Sequence, residues 1–299
     1  MREDIEFDAD GTTLRGWFYR PPEASPPYPA VIMAHGFSAV KEMGLNRYAE
    51  VFVRAGLACI VYDNRNLGAS DGLPRNDIDP IAQMRDYRHA VSYARSRADV
   101  DDGRIGAWGT SYTGGLVLIA AATDRRIRCV VSQVPAIHGM QSARLAYDDD
   151  TLNERLKMIE EERDRLFAGE PPRTVSVVEY DPAQPPSSAN NRTYEFFHAY
   201  DDVEEFDWPN CITVRSLDHR FEYDALSYAE RVSPTPLLMI VASDDVVTPT
   251  KLALQAFARA GEPKSLEMIN GDHYRPYLES FDESGALARD WFVQHLVGV

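Results

Sequence analysis

A serine, an aspartate and a histidine each follow a short apolar run in three separate segments. They are Ser111 in "RIGAWGTSYTGG", Asp245 in "LLMIVASDDVVTP" and His273 in "SLEMINGDHYRPY". A serine hydroxyl is a weak nucleophile at neutral pH. It needs a base within hydrogen-bond reach, a group to orient that base, and donors for the oxyanion that forms. Ser111 lies between a strand-like run and the apolar helical run "GLVLIAAA", where a sharp strand–turn–helix would raise its hydroxyl above a sheet. Glycines flank such a serine because the turn is strained and the helix passes close to the strand. Gly109 supplies one flank. Thr113 occupies the other, with Gly114 and Gly115 directly after it. Taken alone, the segment fits equally a serine N-cap on an ordinary helix.

The other two residues shift that balance. The chain order Ser, Asp, His, each just beyond a strand, is the order of one particular hydrolase triad and differs from the other well-known serine triads. Asp244 competes with Asp245; the spacing of Asp245 to Pro249, which starts the next helix, favours Asp245. Asp272, beside His273, is expected to point elsewhere. The oxyanion donors are expected to be backbone N–H groups, that of Tyr112 after the nucleophile and that of Phe37 in "HGFSAVKEM". His35 is read as a structural hydrogen-bonder of that loop. In "VYDNRNLGASDG", Asp63 and Arg65 are expected to bridge across a loop that supports the oxyanion segment, the alternative being substrate contact near the pocket. Thr113 is expected to point away from the strand, leaving the close contact to Gly114 or Gly115.

The elements that must position these residues alternate. "REDIEFDADGTTLRGWFYR" reads as two strands joined at Asp10-Gly11. "PAVIMAHGF" is a strand buried on both faces. A helix over 44–55, the strand "GLACIVYD", and a helix beginning at Asp79-Pro80 follow. Strand "GRIGAWG", helix 111–122 and strand "IRCVVSQV" complete the first half. The alternation resumes at "TPLLMIVASDD", with helices near 250–259 and 283–297 around the strand "SLEMI". Such alternation predicts βαβ crossovers: an α/β fold, a mainly parallel sheet of about eight strands with helices on both faces.

Residues 139–231 break the pattern and are read as a cap inserted into a core formed by 1–138 and 232–299. This insert carries 21 acidic and 10 basic residues out of a whole-chain net charge of −16. The acidity argues against nucleic acid and anionic membrane as partners, and it is expected to disfavour anionic substrates weakly. The start MREDIEFDADG carries no apolar leader, and no apolar run approaches the roughly 20 residues that span a bilayer. A cytoplasmic protein is expected. Cys59, Cys129 and Cys211 are far apart, and Cys59 and Cys129 lie in strand runs, so they read as small buried residues rather than ligands or a disulfide. No G-x-G-x-x-G follows a strand and no metal-ligand spacing is present, so no cofactor and no metal ion is expected.

Together, "HGF", "YDNRNLGASDG", "GTSYTGG", "ASDDVVTP" and "GDHYRPY" resemble the α/β-hydrolase superfamily over about two thirds of the chain. Within it the chain is similar to the dienelactone-hydrolase-like and X-prolyl-peptidase-like branch, which is related to fungal polyketide thiohydrolases and acyltransferases; "HGFSAVKEM" and "RNDIDP" carry that likeness. In cocaine-esterase and X-prolyl-peptidase relatives the nucleophile is followed by Tyr and then x-Gly, as in Ser111-Tyr112-Thr113-Gly114, so the resemblance implies that the late glycine is tolerated. Dienelactone hydrolases proper have Cys at the position of Ser111. Cocaine-esterase-like enzymes use a tyrosine hydroxyl in the oxyanion hole where this chain offers Phe37, which implies a hole of two amides.

The function expected from these residues is hydrolysis of a carboxylic ester or thioester of a small, apolar or aromatic acyl group through an acyl-enzyme, with Ser111 as nucleophile, His273 as base and Asp245 as its orienter. Acyl transfer in secondary-metabolite tailoring is the alternative, and a non-catalytic small-molecule receptor is a third reading that an intact triad opposes. The insert's aromatics, Tyr194, Phe196, Phe197, Tyr200, Phe206 and Trp208, either line an apolar acyl pocket, with Phe197 and Trp208 as substrate contacts, or pack the insert onto the core. No pattern fixes the oligomeric state; a homodimer would be unsurprising.

Overall fold

The computed structural model describes residues 2–201, 203 and 208–298. Strands β1 (Arg2–Ala9) and β2 (Thr12–Tyr19) form the hairpin expected at Asp10-Gly11, both of which adopt positive φ. β3 (Tyr28–Ala34), β4 (Ala58–Tyr62), β5 (Val100–Thr110) and β6 (Ile127–Gln133) follow. They alternate with α1 (Leu45–Arg54), α2 (Pro80–Ser96) and α3 (Tyr112–Thr123). After a long excursion the chain returns through β9 (Leu237–Ala242), α8 (Thr250–Arg259), β10 (Lys264–Ile269) and α9 (Phe281–Phe292), which ends in one π turn.

These strands form one eight-stranded sheet in the order β1-β2-β4-β3-β5-β6-β9-β10. β1, β2 and β4 pair antiparallel; every other pairing is parallel. Burial follows the sequence patterns. Edge strand β1 alternates exposed and buried, as a half-solvated strand must, whereas β3, β4 and β9 are buried at every residue. Helices α2, α3 and α8 pack on one face of the sheet, and α1 and α9 on the other. Each fully buried Leu, Ile, Val or Phe in these two layers contributes about 1.5–3 kcal/mol of transfer free energy. Asp79 caps α2 as its sequence suggests, accepting from the Ile81 and Ala82 N–H groups. Cys59 and Cys129 are buried free thiols.

Between β6 and β9 the chain forms α4 (Gly139–Ala146), α5 (Asp149–Phe167), a two-residue β7 (Thr174–Val175), α6 (Ala189–His198), β8 (Ile212–Thr213) and α7 (Val214–Glu222). A 3₁₀ turn (Leu226–Arg231) leads back and packs into the main core. Two loops of the sheet hold this insert. One is residues 76–78: Thr213 N–H donates to Asn76 O, the Arg215 guanidinium pairs with Asp77, and Ser216 Oγ accepts from Ile78 N–H. The other follows β10: Arg192 reaches Asp272 at 3.1 Å and Glu279 at 3.3 Å, and Tyr274 OH donates to Thr193 Oγ1. A third apolar cluster, with Ala39, Val40, Met43, Phe196, Phe197 and Tyr274, lies at this junction.

Candidate active site

Parallel strands bring their C-terminal ends to one edge of the sheet, and β5, β9 and β10 deliver Ser111, Asp245 and His273 there. Ser111 follows the last residue of β5 with φ 54° and ψ −118°. That left-handed φ is strained for a serine and is held by its neighbours: Ser111 N–H donates to Gln133 O, and Ser111 O accepts from Ala136 N–H. The side chain makes no capping bond to α3. The helix-cap alternative therefore has no hydrogen bond behind it.

The close passage of strand and helix falls at Gly109, where a Cβ would stand 2.2 Å from Thr113 O. Thr113 does not point away from the strand. Its Oγ1 accepts from Thr110 N–H at 3.0 Å and lies 2.9 Å from Ala34 O, to which it donates. The threonine thus ties the first turn of α3 to the ends of β3 and β5. Gly114 and Gly115 face the opposite side, against the backbone of the loop after β6.

The loops after β9 and β10 are stitched together. Asp244 N–H donates to Gly271 O, and Gly271 N–H donates to Ser243 Oγ. This brings His273 Nδ1 to 2.7 Å from Asp245 Oδ2, and leaves His273 Nε2 3.1 Å from Ser111 Oγ. Both His273 and Asp245 are buried, at 3% and 5% exposure, so water does not compete for their hydrogen bond. Asp245 Oδ1 accepts from the Val247 and Thr248 N–H groups, and Thr248 Oγ1 lies 2.8 Å from Oδ2. Asp244 is turned aside and accepts from Ser243 Oγ. Asp272 pairs with Arg192. Thr248 was not singled out from the sequence, although it stands inside "DDVVTP".

The Phe37 and Tyr112 N–H groups donate to no acceptor among the described residues. Their rings meet edge to face at 5.5 Å. Gly36 lies against Ser111, with 3.3 Å between the Ser111 Cβ and the place a Gly36 Cβ would take. His35 Nδ1–H donates to Gly36 O, and its Nε2 accepts from Asn64 N–H at 3.1 Å, which fixes the neutral ring. Burial pushes its pKa below the ordinary histidine range, against the pull of Asp63. Asp63 and Arg65 do not bridge to each other. Arg65 pairs with Asp86. Asp63 accepts from Lys41 Nζ at 2.7 Å, from Lys41 N–H at 2.8 Å and from Ala69 N–H at 2.9 Å. Burial works against the Lys41 charge; Asp63 and Glu42 outweigh it and hold the ammonium above its ordinary pKa. The loop after β3 is thus pinned through Lys41.

A cavity of about 890 Å³ opens onto Ser111 and His273. Phe37, Tyr112, Phe196, Phe197 and Tyr200 share its wall. Trp208 stands outside the lining: its ring stacks on Phe197 at 4.6 Å and its Nε1–H donates to Ser38 O, so it buttresses the wall from behind. Tyr194 packs at a tilt on His198, 4.1 Å between ring centres, and is not among the cavity-lining residues; Phe206 lies outside the described residues. Sequence reasoning also passed over Arg155 and Arg220, which line the same cavity; nothing in their local sequence marks them. No group of three or more metal-ligating side chains occurs among the described residues, and no helix there is long and apolar enough to cross a membrane.

A family model described as X-Pro dipeptidyl-peptidase (S15 family) matches residues 10–275. The chain belongs to this family. It is 33% identical over 285 residues to a thiohydrolase of Eupenicillium brefeldianum, with 94% of this chain and 90% of the relative covered. It is also 33% identical over 278 residues to a polyketide transferase, grgF, of Penicillium sp, covering 90% of this chain and 88% of the relative. The crystal structure of the alpha/beta hydrolase GrgF from Penicillium sp. sh18 superposes with a TM-score of 0.84 at 29% identity, over 99% of both chains. The sheet order and the matched structure make this an α/β-hydrolase fold. An enzyme of the hydrolase or acyltransferase type is the activity class these relatives support.

Proposed function

We propose that the protein is a serine hydrolase that cleaves a carboxylic ester or thioester of a small acyl group through an acyl-enzyme. The observation that carries this reading is the unbroken chain Asp245 Oδ2–His273 Nδ1 at 2.7 Å and His273 Nε2–Ser111 Oγ at 3.1 Å. In the proposed reaction His273 Nε2 takes the Ser111 hydroxyl proton as Oγ attacks the acyl carbon. Asp245 fixes the tautomer that leaves Nε2 free and stabilises the imidazolium. The Phe37 and Tyr112 N–H groups receive the oxyanion, a term for which one donor is typically worth about 10²–10³-fold in kcat. The protonated His273 gives its proton to the departing alcohol or thiol. A water activated by the same ring then releases the acid and restores Ser111. Phe37, Phe197 and the neighbouring insert aromatics form the apolar side of the acyl pocket, with Trp208 acting behind Phe197. The insert 139–231 is the cap that sets specificity.

The test uses short p-nitrophenyl esters and N-acetylcysteamine thioesters with wild type and Ser111→Ala, together with labelling by a fluorophosphonate. Turnover and labelling of Ser111 by wild type, both lost in the variant, are expected. Absence of both in the wild type sinks the reading.

Acyl transfer is the second reading. The relatives named polyketide transferase favour it, as does a cavity at the upper end of the usual range of small-molecule sites, roughly 300–1,000 Å³. An alcohol or amine would then replace water in the second half-reaction. Product analysis with and without an added acceptor separates the two.

A further inference from the structure

The insert holds 21 acidic and 10 basic residues, so each of its arginines has carboxylates to spare. Arg163, Arg165, Arg173, Arg192 and Arg215 use them, pairing with Asp218, Glu170, Glu162, Asp272 and Asp77. Arg144, Arg155, Arg220 and Arg231 form no ion pair among the described residues, and of these four Arg155 on α5 and Arg220 on α7 line the cavity that contains Ser111. Neither has a carboxylate within ion-pair distance or a hydrogen-bond acceptor among the described residues, and Arg155 Nε is fully enclosed without a partner. Aromatic faces hold them there: Arg155 lies 4.4 Å over the Tyr147 ring, and Arg220 lies 5.6 Å over the ring of Phe37. A ring face orients a guanidinium without neutralising it. Burial lowers the Arg220 pKa, and the nearby Arg155 charge lowers it further, although Tyr147 pulls the other way. Two half-buried guanidinium groups close enough to feel each other, in a segment rich in spare carboxylates, form an arrangement that an anion would complete.

We propose that Arg155 and Arg220 form an anion-binding subsite in the insert wall of the cavity, and that the acyl group cleaved at Ser111 carries a carboxylate. Planar guanidinium forks match a carboxylate in bidentate fashion. Their position in the cavity wall suits an end of the substrate that is taken into the cavity, which is the acyl end; a leaving group tethered to a larger carrier must keep a path to solvent. The local charge at these two residues thus opposes the weak bias against anions expected from the insert's overall acidity. This inference rests on the proposed hydrolase reading for the identity of the reacting end, but the binding of the anion can be measured apart from turnover.

The experiment is calorimetric titration of Ser111→Ala with monomethyl esters of the dicarboxylic acids from glutarate to sebacate, each against its dimethyl ester. For at least one chain length the monomethyl ester is expected to bind about tenfold or more tightly than its neutral partner. That preference is expected to fall by a similar factor in Arg220→Gln and Arg155→Gln, and to persist in part in Arg220→Lys, with circular dichroism verifying the fold. Equal binding of the charged and neutral esters at every length overturns the proposal, as does a preference that survives both glutamine variants. A parallel arm compares 4′-phosphopantetheine with pantetheine. If the phosphate, and no carboxylate, draws the arginine-dependent gain, the acyl-carboxylate assignment is overturned. The hydrolase reading fails on a different result, the absence of Ser111 labelling and turnover in wild type.

Discussion

Replacing Thr113 by glycine would complete the G-x-S-x-G spacing, and the structure predicts that this change does damage. Thr113 Oγ1 is the acceptor for Thr110 N–H and a donor to Ala34 O, and all of these groups are buried. Glycine leaves the Thr110 N–H without its partner, which costs about 1–3 kcal/mol for a buried donor. It also adds roughly 0.5–1 kcal/mol for a glycine in the helix. The total is roughly 1.5–4 kcal/mol. At about 2–4 °C per kcal/mol for a domain of this size class, the melting temperature should drop by roughly 3–16 °C. Activity should fall too, since Thr113 braces the turn that aims Ser111 Oγ and the Tyr112 N–H; small misplacements of that kind cost roughly 10–100-fold in kcat. The assay is a thermal melt with p-nitrophenyl ester kinetics on Thr113→Gly, Thr113→Val and Thr113→Ser. Serine keeps the hydroxyl and should stay near wild type, whereas valine keeps the branched shape without the hydroxyl and should lose most of what glycine loses. A glycine variant that melts with wild type, or valine and serine variants that melt together, would refute the reasoning.

Asp245→Asn should lower kcat by about 10⁴-fold, because the amide can present N–H to His273 Nδ1 and hold the wrong tautomer; Asp244→Asn should leave kcat within about twofold, and equal losses in the two would contradict the assignment. Lys41→Met leaves the fully buried Asp63 carboxylate unpaired and should destabilise by about 3–5 kcal/mol in denaturant titration, with Lys41→Met/Asp63→Asn recovering part of that. His35 is held below its ordinary pKa by burial, so the folded state stays neutral while the unfolded chain takes up a proton below about pH 6.5. Stability should therefore fall as pH drops through that value, by at most about 1.4 kcal/mol per pH unit from this group. His35→Gln should start less stable at about pH 8 and show a shallower fall between about pH 7 and 5.5; identical slopes would rule this source out.

The sheet was legible because its strands differ in pattern for a physical reason. The all-apolar runs at 28–34, 58–62 and 237–242 are buried on both faces, while the alternation in Arg2–Ala9 marks a half-solvated edge. The order of Ser111, Asp245 and His273 was legible because a parallel sheet turns three distant strand ends into neighbours, so sequence position after a strand already encodes proximity. What failed were pairings between loops. Asp63 and Arg65 are two residues apart and of opposite charge, yet their partners are Lys41 and Asp86, which the crossovers bring in from elsewhere. Thr113 failed for a related reason. Its direction depends on an unsatisfied N–H at Thr110 and a carbonyl at Ala34, and the latter belongs to a strand 79 positions away.

Arg155 and Arg220 are the most instructive case. In a segment with twice as many acidic as basic residues, the neutral expectation is that every arginine finds a carboxylate. Composition therefore carried only a weak expectation against anionic substrates. Only the tertiary arrangement shows that five arginines of the insert are spent on ion pairs while these two rest on aromatic rings in the wall of the cavity that contains Ser111. Net charge governs long-range steering over distances of about a Debye length, near 8 Å at physiological salt. Specificity inside a cavity is set by the few charges there that lack a partner in the protein. The acidic exterior and a basic subsite are thus compatible, and they predict a salt signature. Added salt should raise the rate of encounter with an anionic ester by screening the insert's surface, while changing its preference over the neutral ester much less at the half-buried pair in the cavity wall. Stopped-flow and steady-state measurements across a series of salt concentrations separate these effects; a preference that collapses with salt would place the anion at the surface instead of at Arg155 and Arg220.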